Sequence, residues 1–140
     1  MSPAKPTILF DSFALLAYLN GEAGQTTVEE ILTCAQANEC RVCMCLISLG
    51  EVLNLTERRR GLAKAQQVLA LIDNLPIKII EASRDLVLEA AHIQAQHAIS
   101  YVDAFAAAAA RREVAIVLTG DPEFAEVEDL VQVRWLPKET

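Results

Sequence analysis

Short runs of apolar residues alternate along the chain with longer segments in which apolar residues recur at helical spacing. The apolar runs lie at about 7–11, 41–46, 77–80, 115–119 and 131–135. Short, continuously apolar runs are typical of strands that are covered by helices on both faces. Because helical segments separate these runs, the pattern predicts an α/β fold with a central, mainly parallel five-stranded sheet flanked by helices.

Six helices are predicted in the intervening segments, and polar residues mark where most of them begin. The predicted helices run from Ser12 to near Asn20, Thr26 or Thr27 to about Asn38, Ser48 to Arg60, 62 to 74, Ser83 to about His97, and Ser100 to Arg112. In the fourth helix, the expected buried stripe consists of Leu62, Ala65, Leu69 and Ile72. The alanine run 106–110 predicts a helix that packs closely against its neighbours, since small side chains permit close approach.

Composition limits the class of protein. The 140 residues fit a single domain, 1–140, and a hydrophobic content of 53% is ample for a core. The formal net charge of −7 argues against broad, charge-driven binding to nucleic acid or membranes, although it permits a local basic patch. Neither the segment from Met1 to Pro6 nor any later run has the apolar length of a secretory signal or a membrane span. We therefore expect a cytoplasmic protein.

The four cysteines, Cys34, Cys40, Cys43 and Cys45, allow two interpretations. The Cys40-x-x-Cys43 spacing occurs in zinc and redox sites. However, no second Cys-x-x-Cys follows, and Cys43 and Cys45 alternate as they would in a strand. Small buried apolar residues are the favoured interpretation, without disulfides.

Four acidic residues stand where strands end or helices begin. Asp11 and Asp121 follow strand-like runs, whereas Glu51 and Asp103 fall near the starts of two helices. In open parallel sheets, ligands bind beyond the carboxyl ends of the strands, so these four carboxylates can converge. Clustered carboxylates repel one another and either take up protons or recruit a cation such as Mg²⁺ or Mn²⁺. The arrangement indicates a metal-dependent phosphodiester hydrolase.

Each of these acids also has an ordinary structural explanation. Ser48-x-x-Glu51 matches a helix capping box, and Ser100-x-x-Asp103 is a shorter version of it. Asp11 could cap the helix that follows the first strand, and Asp121-Pro122 could begin a turn. Taken together, four acids at one edge of a sheet are harder to explain in this way than each acid alone.

Other polar residues accompany the four acids. Ser12 and Thr119 place hydroxyls beside Asp11 and Asp121, where they could hold water or a phosphate oxygen or serve in ordinary capping and turn formation. Glu123 is a further acid, but its position in a predicted surface turn favours solvation.

The sequence around the acids resembles the PIN-domain ribonucleases, and most closely the VapC type of bacterial toxin. The resemblance covers nearly the whole chain in order and is carried by Leu9-Phe10-Asp11-Ser12-Phe13, Ser48-Leu49-Gly50-Glu51-Val52, Ser100-Tyr101-Val102-Asp103-Ala104 and Leu118-Thr119-Gly120-Asp121-Pro122. It implies a PIN-like three-layer fold with Asp11, Glu51, Asp103 and Asp121 as metal-binding acids. Two departures are Phe13 and Gly50, which stand where smaller or helix-favouring residues are common.

The resemblance implies hydrolysis of an RNA phosphodiester by a metal-activated water. We assign Asp11 and Asp103 as direct ligands of Mg²⁺ or Mn²⁺ and Asp121 as a ligand either directly or through water. Glu51 would position or deprotonate the attacking water. A small antitoxin protein that blocks the acidic site, and a homodimer, are the further partners that the resemblance implies.

Arginine and lysine residues offer a place for RNA to bind an acidic protein. The densest basic cluster is Arg58, Arg59, Arg60 and Lys64, and Arg111-Arg112 forms a second one. A solvated helix end, favoured by the helix dipole, explains the same residues equally well.

Other functions fit part of the sequence. A doubly wound phosphotransfer or phosphatase domain uses similar strand-end acids, but it leaves Asp103 unexplained and usually needs a late lysine that is missing here. A PIN nuclease of RNA processing, outside any toxin–antitoxin system, and a catalytically inactive PIN-like module that binds RNA or protein are the two remaining alternatives.

Overall fold

A computed structural model describes residues 5–138 of the chain. Part of the segment in which we expect no signal sequence, Met1–Ala4, lies outside the described residues, as do positions 139–140. Within 5–138, five strands form one sheet: β1 (Thr7–Phe10), β2 (Arg41–Cys45), β3 (Lys78–Ile80), β4 (Ile116–Thr119) and β5 (Val133–Trp135).

The described range also contains six α-helices and one 3₁₀-helix. The α-helices are α1 (Ser12–Leu19), α2 (Gln25–Gln36), α3 (Leu46–Arg60), α4 (Leu62–Asp73), α5 (Arg84–Gln96) and α6 (Tyr101–Glu113), and the 3₁₀-helix is Pro122–Val127. The 3₁₀-helix stands where the sequence predicts only a turn. Within residues 5–138, none of these helices combines the length and the apolar character needed to span a bilayer.

The strands lie in the order β3-β2-β1-β4-β5, and all four neighbouring pairs are parallel. The predicted five-stranded parallel sheet is therefore confirmed. The strands β1 and β4 are hydrogen-bonded neighbours, although 105 positions separate Phe10, the last residue of β1, from Ala115, the residue before β4. The winding direction of the chain reverses between these two strands. Such a reversal leaves a crevice beyond the carboxyl ends of the two central strands.

Helices cover both faces of the sheet, which gives the three predicted layers. Leu9, Cys43 and Val117 point towards α5 and α6, whereas Ile8 and Phe10 pack against α1 and α2. On the second face, Met44 packs in a further cluster with residues of α3 and α4. The alanine-rich helix is confirmed as closely packed, since Ala106, Ala107, Ala108, Ala109 and Ala110 are each at most 1% exposed.

The cysteines behave mainly as apolar residues. Cys43 and Cys45 are buried on the same face of β2 as the sequence alternation predicts, and all four thiols are free. Burial raises the pKa of Cys43 to about 12, so this thiol stays protonated and unreactive at neutral pH.

Three helix starts differ from the prediction. Asp11, the alternative that the sequence offers, caps α1 in place of Ser12, and α2 begins after Gly24, which has a φ of 98° and provides no side-chain cap. The helix α3 begins at Leu46, two residues before the predicted start, because the chain turns into the helix directly from Cys45 at the end of β2. The predicted capping box does not form, since Ser48 lies inside the helix and Glu51 in its second turn.

The buried stripe of α4 also differs from the prediction. Ala65, Val68 and Ile72 are buried, whereas Leu62 and Leu69 are 57% and 37% exposed. The helix packs mainly against α3, so one line of its apolar residues is turned inward and the adjacent line stays at the surface.

Candidate active site

The four predicted acids lie around the crevice at the carboxyl edge of the sheet. Asp11 and Asp121 directly follow the neighbouring strands β1 and β4, in which Phe10 pairs with Leu118. Asp103 reaches this edge from the first turn of α6, and Glu51 from the second turn of α3. Their charges act on one another: Asp121 and Glu51 act on Asp11, and Asp121 and Asp11 act on Asp103.

Asp11 is held by hydrogen bonds to both carboxylate oxygens. Its Oδ1 accepts the Ala14 N–H at 2.8 Å, so it does cap α1, and its Oδ2 accepts the hydroxyl of Thr119. The side chain is 2% exposed, and this burial raises the pKa of Asp11 to about 7. The two hydrogen bonds oppose the increase, whereas the charges of Asp121 and Glu51 add to it.

Thr119 connects two of the acids. Its fully buried hydroxyl donates to Asp11 Oδ2 and accepts the backbone N–H of Asp121 at 2.9 Å. Asp121 in turn uses Oδ1 to accept the Glu123 N–H at 2.9 Å, which begins the 3₁₀-helix. The hydroxyl that the sequence places beside the last acid therefore fixes the orientation of the first one.

Asp103 carries a buried oxygen without a hydrogen-bond partner in the described part of the chain. The side chain is 6% exposed, and its Oδ2 is fully buried and unpaired. Ser100 caps α6 by accepting the Asp103 N–H at 3.2 Å, so the capping explanation accounts for the backbone but not for the carboxylate. Burial is the largest cause that raises the pKa of Asp103 to about 8, followed by the charge of Asp121 and a side-chain hydrogen bond that the protonated carboxyl can share with Asp121, and then by the charges of Asp11 and Glu123.

Glu123 lies close to two of the predicted acids and is half-buried, although its position in a predicted surface turn favours solvation. Carboxylate oxygens of Asp103, Asp121 and Glu123 lie within 4.8 Å of one another. The 3₁₀-helix turns Glu123 back over the start of α6, where its Oε1 accepts the Ser100 N–H at 2.6 Å. The Asp-Pro-Glu sequence is the only local signal for this arrangement, because proline favours a tight helical start after Asp121.

Glu51 and Ser12 have more peripheral positions. Glu51 is half-buried and acts on Asp11 through its charge, but it lies outside the group of three close carboxylates. Ser12 donates its hydroxyl to the Ser48 carbonyl at 3.3 Å and so connects the starts of α1 and α3. This contact gives Ser12 a structural role, and the sequence contained no signal for it.

The basic residues lie away from the acids. Arg60 follows Glu51 by nine residues in α3, which is about 14 Å along the helix axis. Arg59, Arg60 and Lys64 line a groove with Leu16 and Leu19 of α1.

The second basic pair, Arg111-Arg112, lies at the opposite end of α6 from Asp103. Arg111 is 3.8 Å from Glu89, and Arg112 donates to the Ser83 hydroxyl at 3.1 Å. Both side chains therefore make contacts within the protein.

The acid cluster fits a hard divalent cation. It offers only oxygen donors, it concentrates negative charge at the start of α6, and it includes a buried oxygen that no other described group satisfies. Mg²⁺ and Mn²⁺ prefer such carboxylate ligands, whereas the cysteines and histidines that soft metals prefer are missing from this group. A cation there would also relieve the repulsion that raises the pKa of Asp103.

Comparison with known proteins places these features in a family context. The family model described as "PIN domain" matches residues 8–130 of the sequence. A search of curated protein sequences finds no match.

Solved structures show the same fold. The chain is 23% identical to the sarcin–ricin loop cleaving toxin VapC20 of Mycobacterium tuberculosis, with a TM-score of 0.71 over 91% of this chain and 98% of that one. It is 14% identical to a chain of DNA-bound VapBC from Salmonella typhimurium, with a TM-score of 0.75 over 93% and 98%. A toxin–antitoxin complex from Klebsiella pneumoniae gives 18% identity and a TM-score of 0.67 over 95% and 99%.

Proposed function

Because the chain belongs to the PIN-domain family, we propose that it is a metal-dependent endoribonuclease and the toxin component of a toxin–antitoxin pair. The observation that carries the proposal is the buried, unpaired Oδ2 of Asp103 in a group of carboxylates within 4.8 Å of one another. A buried carboxylate is costly unless a proton or a cation neutralises it. A divalent cation can do so, and it also supplies the chemistry that hydrolysis of a phosphodiester needs. We further propose that residues 1–140 form a single domain that acts in the cytoplasm.

Asp103, Asp121 and Glu123 would hold Mg²⁺ or Mn²⁺, with Asp11 and Glu51 completing the acidic pocket. When bound, such an ion makes a coordinated water more acidic and offsets the charge that builds on the phosphate in the transition state. The direct-ligand role of Asp103 agrees with its free oxygen. Each oxygen of Asp11 accepts one hydrogen bond and keeps a second lone pair, so we propose that it contacts the ion through Oδ2 while Thr119 continues to hold it.

The protein side chains have distinct tasks in this proposal. Thr119 keeps Asp11 and Asp121 in one orientation, so that the acids require little rearrangement when the substrate binds. Glu51 is half-buried and free of hydrogen bonds among the described residues, which suits a group that orients the attacking water and accepts its proton. Ser100 and Glu123 together fix the start of α6 and hence the position of Asp103.

RNA is the proposed substrate, and the basic cluster Arg58, Arg59, Arg60 and Lys64 is the proposed contact for phosphates that flank the cleavage point. A strand that crosses the acid pocket and continues along α3 would reach these residues about 14 Å from Glu51. This distance corresponds to a few nucleotides of an extended chain, so the cluster would bind flanking phosphates and not the scissile one.

A small antitoxin is the proposed protein partner. Leu16 and Leu19 line a small recess of about 50 Å³ together with Arg59, Arg60 and Lys64, and these three cations suit acidic residues of such a partner. The acid pocket itself suits a basic side chain of such a partner, which would exclude the cation and the substrate together. A homodimer of the chain is proposed as well.

The test combines metal binding with RNA cleavage. Wild-type protein should bind Mn²⁺ and cleave single-stranded RNA only when Mn²⁺ or Mg²⁺ is present. Asp103→Ala and Asp11→Ala should abolish cleavage while circular dichroism stays unchanged, and Asp103→Ala should also lose bound Mn²⁺ as measured by calorimetry. Asp73→Ala, which removes an exposed acid at the end of α4, is the matched control.

The outcomes separate the alternatives. Metal-dependent cleavage that survives Asp103→Ala would contradict the proposed site. Mn²⁺ binding by wild-type protein without any cleavage of RNA would favour an inactive binding module. Cleavage by a protein whose gene has no neighbouring reading frame for a small antitoxin would favour an RNA-processing nuclease.

A further inference from the structure

Phe13 is an exposed aromatic residue at the edge of the acid pocket. It follows Asp11 by two residues, it is 44% exposed, and its ring lies directly on Gly120, between Thr119 and Asp121. A Cβ atom on Gly120 would come within 2.2 Å of Phe13 Cε1 and 2.6 Å of Cζ. The ring therefore packs against the backbone of Gly120, beside two residues of the proposed site, and no residue larger than glycine fits at position 120.

The ring forms one wall of a cleft that reaches Gly120, the residue directly before Asp121. Leu136, Pro137 and the backbone of Gly120 line the same cleft, which encloses about 250 Å³. This volume is below the roughly 300–1,000 Å³ of sites for drug-sized ligands and fits a flat ring system of modest size. The cleft lies on the β5 side of Asp121, because Leu136 directly follows β5 and its N–H bonds to the Thr119 carbonyl at 2.8 Å.

Two charged side chains border this cleft. Glu22 and Lys138 both line it, and both are exposed. A lysine suits a phosphate of the backbone, whereas a carboxylate repels phosphates but accepts hydrogen bonds from the amino group of a base. An aromatic wall, a hydrogen-bond acceptor and a single cation together match one unstacked nucleotide.

From this geometry we infer that the cleft binds the base of a nucleotide adjacent to the scissile phosphate, stacked on Phe13. Glu22 would favour bases that carry an exocyclic amino group, namely adenine, cytosine and guanine, over uracil. The inference rests on the proposed function as a ribonuclease and adds a base preference to it. Phe13 is then a substrate-binding residue that determines specificity, and Gly120 is the small residue that lets the ring lie close to Asp121.

Binding to fluorescent single-stranded oligoribonucleotides in EDTA tests this inference without any contribution from cleavage. Phe13→Ala should weaken the binding of oligo(A) and oligo(C) by about 5- to 150-fold, since stacking on an aromatic residue contributes this much per base. Phe13→Trp should retain binding, whereas Phe13→Leu, which keeps an apolar side chain but has no aromatic face, should lose it. Leu88→Ala is the matched control, since it shortens an apolar residue of α5 that is 51% exposed. Its neighbour Glu89 contacts Arg111 at the end of α6 that lies away from Asp103.

Two further readouts identify the stacked base. Phe13→Trp in a Trp135→Phe background leaves one tryptophan in the cleft, and oligo(A) should quench its fluorescence. Glu22→Ala should reduce the preference for oligo(C) over oligo(U) without changing the binding of oligo(U). Mapping of the cuts in a randomised RNA should show that Phe13→Ala loses its base preference beside the cleavage point.

Several results would overturn the inference. Phe13→Leu that binds like wild type would show that the ring is only an apolar cover for Gly120. Phe13→Ala that dissociates a dimer in sedimentation, with RNA binding unchanged, would show that the cleft receives a second copy of the chain. Wild-type protein that cleaves RNA while Phe13→Ala leaves binding and cut sites unchanged overturns the base site alone, whereas wild-type protein that neither binds nor cleaves RNA overturns the proposed function with it.

Discussion

Thr119 donates a hydrogen bond to Asp11 across the boundary between β4 and β1, although 108 positions separate the two residues in the chain. The same hydroxyl accepts the Asp121 N–H at 2.9 Å, so a single buried oxygen aligns an acid on each of the two central strands. Both strands end at the point where the winding of the sheet reverses, which is where parallel sheets bind ligands.

Replacing Thr119 with valine should impair both stability and metal binding. Valine keeps the shape but leaves Asp11 Oδ2 and the Asp121 N–H without a partner, at a cost of about 1.5–3 kcal/mol in the free energy of unfolding. Because the hydrogen bond from Thr119 lowers the pKa of Asp11, its loss should raise that pKa and move the acid limb of the cleavage profile to higher pH. Urea unfolding and a pH–rate profile measure the two effects.

The control for this prediction is Thr119→Ser, which keeps the hydroxyl and should shift the profile little. An identical pH profile for the valine and serine variants would show that the hydroxyl does not act on Asp11.

The free energy of unfolding of the metal-free protein should fall as pH rises from about 4 to about 8. In the folded protein the pKa of Asp11 is raised from 3.8 to about 7 and that of Asp103 from 3.8 to about 8. Between these limits the folded state binds more protons than the unfolded state, so the two acids favour folding below the unfolded pKa and lose that effect as pH passes the folded pKa.

Asp103→Asn isolates one of these contributions. The asparagine variant should lose less stability between about pH 5 and 8 than wild type when both are unfolded by urea in EDTA. Mn²⁺ should stabilise wild type more at the higher pH, because ions compete with protons for the same oxygens. Parallel stability curves for the two proteins would contradict the raised pKa of Asp103.

Glu123→Gln should weaken the site without unfolding the protein. Glutamine retains an oxygen that can accept the Ser100 N–H, but it removes one negative charge from the three carboxylates within 4.8 Å. Loss of a group that supports a metal site typically costs about 10–100-fold in affinity or activity, and we expect a loss in this range for both Mn²⁺ affinity and cleavage.

Glu126→Gln removes the same charge from an exposed position of the same 3₁₀-helix and should have little effect. Equal behaviour of the two variants would return Glu123 to the solvated role that the sequence favours.

Charge reversal of the basic cluster should weaken RNA binding in a salt-dependent way. Replacing Arg58, Arg59 and Arg60 with glutamate removes cations that would each release counterions from a phosphate. For single-stranded RNA the slope of log K against log salt should become less steep by about 0.7 for each phosphate contact that is lost. Arg84→Glu, an exposed arginine at the start of α5, is the control, and an unchanged affinity would leave the cluster as a solvated helix end.

The sheet and the position of the four acids could be predicted because they depend on short-range patterns. Continuous apolar runs mark buried parallel strands, and Asp11 and Asp121 directly follow two of them. Once the strands are parallel and adjacent, the carboxyl ends meet, and the acids meet with them. Ser83 and Ser100 cap α5 and α6 as predicted, since capping is also a local property.

The remaining features depend on contacts that no local pattern encodes. Glu123 joins the cluster only because the 3₁₀-helix folds back on α6, which is 23 positions away from it at Ser100. A serine three residues before Glu51 matches a capping box and predicts that α3 starts at Ser48, whereas the end of β2 runs straight into the helix at Leu46. The contact between Phe13 and Gly120 depends on the pairing of β1 with β4, and no local sequence pattern predicts it.

The pairing of β1 with β4 also determines when the acid pocket can form during synthesis of the chain. A growing chain that has emerged only as far as β3 holds Asp11 and Glu51 but neither Asp103 nor the central strand that positions Asp121. The four acids therefore cannot come together before β4 and Asp121 have been made, and any chemistry that needs all of them has to wait until about six-sevenths of the chain has been synthesised.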